Sequence, residues 1–110
     1  MDMITAIKAA RVPMWILRTE DGSDPALTFR ILPGSIRTIG RATGVNFIVD
    51  AHLVSRVHCQ LTAGAAELEV KDLDSTNGTF VNGERITSPV RLSTGDKLGV
   101  GRVELTIERG

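Results

Sequence analysis

The sequence carries a single cysteine, Cys59, which excludes an internal disulfide and leaves no cysteine cluster for zinc. That usage fits a reducing compartment, and a cytoplasmic location is expected. Aromatic residues are equally scarce. Trp15, Phe29, Phe47 and Phe80 are the whole set, too few for the stacking platforms that read RNA and single-stranded DNA. Nor is there an excess of charge of one sign. Thirteen Lys and Arg offset thirteen Asp and Glu, and their scatter removes the long-range field that draws proteins onto DNA or anionic lipid. Any anion must therefore be bound locally, by a few placed groups. No apolar run approaches the roughly 20 residues of a membrane span, and Lys8 interrupts the first short apolar stretch, unlike a secretory signal. The two histidines, His52 and His58, stand without paired carboxylates at ligand spacing, so neither a metal centre nor a hydrolytic site can be assembled. No cofactor, no metal and no enzymatic activity are expected.

At 110 residues the chain fits one domain whose hydrophobic core alone can hold it. Residues 1–12 are Ala-rich, with Ile4 and Ile7 at helical spacing, and Pro13 ends that pattern. They are expected to form an N-terminal tail, with the domain over 13–110. From Met14 onward, short β-branched and apolar runs alternate with Gly, Asn, Asp and Pro. The runs are 14–19, 27–32, 35–39, 46–49, 58–63, 66–71, 79–81, 84–86, 90–92, 97–100 and 102–108. Val103, Leu105 and Ile107 alternate with polar neighbours, the pattern of a strand with one wet face. Asn77-Gly78 and Asn82-Gly83 supply turn residues. The expectation is an all-β, two-sheet sandwich of short, mostly antiparallel strands with its binding loops gathered at one end.

Four stretches in fixed order carry a more specific signal: Gly40-Arg41, Ser55-Arg56-Val57-His58, the run from Asp72 to Gly83 (DLDSTNGTFVNG), and Gly95-Asp96. Jointly, at these spacings in a strand-rich chain, they resemble the forkhead-associated (FHA) domain, a phosphothreonine-reading module, over roughly residues 13–108. The chemistry of the residues agrees with that resemblance. A phosphate dianion needs a guanidinium for charge and a planar fork, hydroxyls or backbone N–H groups for its other oxygens, and a group that fixes the peptide beside it. Loops carrying Arg41, Ser55-Arg56 and Ser75-Thr76-Asn77 supply all three.

The resemblance implies that Arg41 and Ser55 bind the phosphate, Thr76 shapes the pocket and Asn77 bonds the ligand's main chain. It places Arg56 where family members contact phosphate or peptide, not always with arginine. Gly40 and His58 would be architectural, Gly40 giving a tight turn and His58 tying loops together through its ring nitrogens; Gly78 and the Gly95-Asp96 turn would be structural. The partner implied is a phosphothreonine-containing protein in Ser/Thr-kinase signalling, bound by a monomeric adaptor that contacts neither nucleic acid nor membrane. The alternative is a phospho-independent interaction domain of the same fold. Cys59, next to His58 and so on the opposite strand face, is expected in the core rather than as a nucleophile. Some family members carry a phosphorylatable tail threonine that folds back onto the site. Thr5 lies in such a tail, but its Met3-Ile4-Thr5-Ala6-Ile7 surroundings lack the acidic, tandem-Thr character of those tails.

Overall fold

The structure, a computed structural model, describes residues 14–110. The expected tail and Thr5 lie outside the described residues. Eleven strands follow one another: β1 (Trp15–Arg18), β2 (Thr28–Ile31), β3 (Ile36–Gly40), β4 (Phe47–Ile48), β5 (Cys59–Ala63), β6 (Leu68–Asp72), β7 (Thr79–Val81), β8 (Glu84–Arg85), β9 (Val90–Leu92), β10 (Lys97–Val100) and β11 (Val103–Arg109). Each coincides with one of the expected runs, with ends displaced by two residues at most. No helix occurs among the described residues, and so none there is long and apolar enough to cross a membrane.

The strands form two sheets, β2-β1-β11-β10-β7-β8 and β4-β3-β5-β6-β9. All pairings are antiparallel except β3 with β4, which run parallel through Ile39–Phe47 and Gly40–Ile48. Alternation decides which side chains are buried. Leu17, Leu98, Val100, Leu105 and Ile107 from one sheet meet Ile39, Cys59, Leu61, Leu68 and Val70 from the other, all fully buried. Each such side chain contributes about 1.5–3 kcal/mol on burial, so the facing sheets form a rigid base for the loops. At one margin Phe29 of β2 stacks on Phe47 of β4, ring centroids 4.6 Å apart, closing the sandwich between the two sheets.

The turns follow local chemistry. Asn82 (φ 51°) and Gly83 (φ 83°) join β7 to β8 with both central residues left-handed, the requirement of a type I′ hairpin. Asn82 also accepts a bond from the Lys97 N–H (3.0 Å) and donates one to Asp96 (3.1 Å), while Asp96 accepts from the Ser93 N–H (2.7 Å). The Gly95-Asp96 turn is thus locked to the β7–β8 hairpin, away from the loops described next.

Candidate ligand-binding site

Strand topology brings three chain segments to the same end of the five-stranded sheet. Ile39 near the end of β3 pairs with Cys59 at the start of β5, and Cys59 pairs in turn with Asp72 at the end of β6. Arg41 follows the first of these strands, Ser55 and Arg56 precede the second, and Thr76 and Asn77 follow the third. All five line one open groove of about 840 Å³, whose wall also includes Asp50, His52, Leu53 and Asp74.

Gly40 is a buried strand residue, not a turn. The expected tight-turn role is corrected, because its φ is not in the left-handed region. What requires glycine is contact: a Cβ there would lie 2.1 Å from the Arg56 carbonyl oxygen and 3.1 Å from the Val57 Cα. This close approach lets the Arg41 N–H donate to the Ser55 carbonyl (2.9 Å) and the Ala42 N–H to the Arg56 carbonyl (3.1 Å). Arg41 spends one of its donors, Nε, on the Val54 carbonyl at 3.1 Å. The ion pairs among the described residues are Arg18–Glu108, Arg91–Glu67 and Lys97–Glu104, so neither Arg41 nor Arg56 is matched by a carboxylate there.

Ser55 is fixed at both ends. Its Oγ accepts from the Thr76 N–H at 3.0 Å, and its own N–H donates to His58 Nδ1 at 3.0 Å. Because Nδ1 accepts, the ring proton sits on Nε2, which donates to the Gly78 carbonyl at 2.8 Å. His58 is fully buried and joins the β4–β5 loop to the β6–β7 loop. His58→Ala would orphan the Ser55 N–H and the Gly78 carbonyl, and should lower stability by about 1–3 kcal/mol in chemical denaturation. An unchanged unfolding midpoint would show that the ring does not brace the loops.

Asn77 donates Nδ2 to the Leu53 carbonyl at 3.1 Å, with Leu53 held in the left-handed region at φ 73°. In the Asn77-Gly78 pair only Gly78 has positive φ, +91°. Thr76 and Arg56 are exposed on the rim. Behind them Asp72, which sequence reasoning passed over, organises the β6–β7 loop: its Oδ1 accepts from Ser75 Oγ (2.5 Å) and Thr79 Oγ1 (2.7 Å), its Oδ2 from the Ser75 N–H (3.2 Å). An Asp three residues before a Ser was a readable signal for this local bonding. Burial pushes the Asp72 carboxyl up, but the bonds from Ser75 and Thr79, with His58 nearby, outweigh it and hold it below its ordinary 3.8. A depressed native value stabilises the fold above the unfolded-state pKa and is lost as pH falls through the native one. Stability should therefore drop more steeply as the pH falls below about 4 in the native sequence than in Asp72→Asn, a difference that calorimetric melts would register. Cys59 is fully buried, and burial pushes its thiol up to about 12 against the opposing Thr79 bond, with Asp72 adding to the rise. It is a core residue, unreactive in the folded chain.

The family model described as FHA domain matches residues 37–101, more than half of the chain and the whole of the groove. This chain belongs to the FHA domain family. The FHA chain is 37% identical over 84 residues to the ABC transporter ATP-binding/permease protein Rv1747 of Mycobacterium tuberculosis, covering 76% of this chain and 10% of that protein. It is 38% identical over 73 residues to the oxoglutarate dehydrogenase inhibitor of Corynebacterium efficiens, covering 66% of this chain and 51% of the inhibitor. It thus spans about half of the inhibitor and a tenth of the transporter. An FHA structure solved in work on phosphothreonine-dependent FHA domain interactions superposes with a TM-score of 0.74 at 28% identity, over 89% of this chain and 96% of that one. Within this FHA fold, the Leu53 and Val54 carbonyls that hold Asn77 and Arg41 had no sequence signal, since any residue type supplies a carbonyl. Among the described residues no group of His, Cys, Asp and Glu could hold a metal.

Proposed function

We propose that this chain is a phosphothreonine-dependent protein-interaction module, an adaptor in Ser/Thr-kinase signalling that binds without turnover, with residues 13–110 as the working unit. The observation that carries the reading is the convergence, in one groove, of a guanidinium without a carboxylate partner among the described residues, Arg41, with a hydroxyl whose position is fixed from two sides, Ser55. In this reading Arg41 and the Ser55 hydroxyl bind the phosphate oxygens, and Arg56 adds a second cation at the rim. Asn77 holds the ligand main chain, and Thr76 sets the Ser55 hydroxyl through its N–H. Charge-assisted bonds of about 1.5–3 kcal/mol each must exceed the ordering of a peptide, which gives affinities in the micromolar range. The threonine methyl adds ~0.8 kcal/mol by burial, and roughly 1–3 kcal/mol in a shaped, rigid pocket.

The test is calorimetry with one peptide in three forms. The phosphothreonine form is expected to bind, the phosphoserine form roughly tenfold more weakly, and the unmodified form negligibly. Equal binding of the phosphorylated and unmodified forms would instead favour a phospho-independent interaction domain.

A further inference from the structure

We propose that Gly101, in the turn between β10 and β11, is a positioning residue for the groove, carrying the segment 52–54 whose carbonyls hold Arg41 and Asn77. The inference rests on the ligand reading above but concerns a residue outside the binding motifs. Strand pairing puts the turn at this end of the sandwich, because Val100 pairs with both Thr79 at the start of β7 and Val103. Gly101 has φ +61°, and a Cβ on it would stand 3.0 Å from Val54 Cγ2, 3.1 Å from the His52 carbonyl oxygen and 3.2 Å from the Leu53 carbonyl carbon. Two of these three are backbone atoms, which cannot swing aside as the end of a side chain can. The turn therefore lies directly against the segment 52–54.

That segment is where two of the site's orienting bonds end. Arg41 Nε donates to the Val54 carbonyl and Asn77 Nδ2 to the Leu53 carbonyl, both at 3.1 Å. Leu53 itself is left-handed at φ 73°, a conformation that a leucine keeps only when its surroundings over-determine it. A displacement of a few tenths of an ångström at 52–54 would thus turn both Arg41 and Asn77, although Gly101 touches no ligand atom.

The experiment compares Gly101→Ala with Gly95→Ala. Gly95 also has a positive φ, +92°, further from the left-handed α region than Gly101, but nothing within 4 Å of where its Cβ would lie, so its variant carries at least as much backbone strain without the contact. Two readouts are taken at a temperature where both variants are folded: affinity for a phosphothreonine peptide, and the NMR signals of the Asn77 side-chain amide and Arg41 Nε–H without ligand. The expected result is an affinity loss of at least fivefold and shifted signals in Gly101→Ala, with the native values kept in Gly95→Ala. Native affinity and signals in Gly101→Ala, or equal losses in the two variants, would overturn the proposal. Should Gly101→Ala not fold, Gly101→Asn takes its place, asparagine being the side chain that best tolerates this conformation. If the native chain binds no phosphothreonine peptide, the ligand reading fails, and the ligand-free signals still decide whether Gly101 holds the segment.

Discussion

Arg41→Ala is expected to weaken phosphothreonine-peptide binding at least a hundredfold while the melting temperature moves by no more than a degree or two. A hundredfold is about 2.7 kcal/mol, within what two charge-assisted bonds to a phosphate supply at about 1.5–3 kcal/mol each. The fold has little at stake in the same side chain. Arg41 is exposed, has no carboxylate partner among the described residues, and gives the protein one side-chain bond, from Nε to the Val54 carbonyl. Arg41→Lys separates charge from geometry: the ammonium keeps the charge but loses the planar fork and the Nε bond, so only part of the affinity should return. Titration calorimetry beside thermal melts measures both quantities. Binding that survives Arg41→Ala within a few-fold would move the phosphate contact to Arg56, the other arginine lining the groove.

The sequence made the strands easy to read where pattern and punctuation agreed. β11 shows Val103, Leu105 and Ile107 buried against exposed Glu104, since a period of two with one wet face has few alternative readings. The parallel pairing of β3 with the two-residue β4 had no such signal, because it is set by the path of the chain between Arg41 and Asn46 rather than by composition. At the site, Arg41, Ser55, Arg56, Thr76 and Asn77 could be named from the motifs and the family resemblance they carry, and the structure lines one groove with them. What the spacing could not disclose is the division of labour among atoms. The Ser55 hydroxyl takes its position from the backbone of Thr76, and the Asn77 amide reaches the carbonyl of a left-handed Leu53, where residue preferences argue against that conformation. Gly40 was misread for the same reason: a Gly-Arg pair suggests a turn, and the need for glycine emerges only when the segment at Arg56 is laid across it.

Gly40→Ala should consequently damage both fold and binding. The added methyl would lie 2.1 Å from the Arg56 carbonyl oxygen, where ordinary carbon–oxygen contacts begin near 3.3 Å, so the segment or the strand must shift by roughly 1 Å. Both sides of the clash are backbone, and no change of rotamer relieves it. The shift strains the bonds from the Arg41 and Ala42 N–H groups to the Ser55 and Arg56 carbonyls, which set the distance between the Arg41 guanidinium and the Ser55 hydroxyl. Overpacking of about 1–3 kcal/mol together with two weakened backbone bonds gives an expected destabilisation of about 2–4 kcal/mol. Affinity should fall more than tenfold even well below the melting temperature, because the two phosphate-binding groups no longer stand in register. Gly44→Ala is the control: it lies in the adjoining β3–β4 connection with open space around its Cβ position and no positive φ, and should leave both quantities near the native values. A Gly40→Ala chain that melts and binds like the Gly44→Ala chain would mean that the Arg56 segment yields without loss, and that the spacing of Arg41 and Ser55 does not depend on that contact.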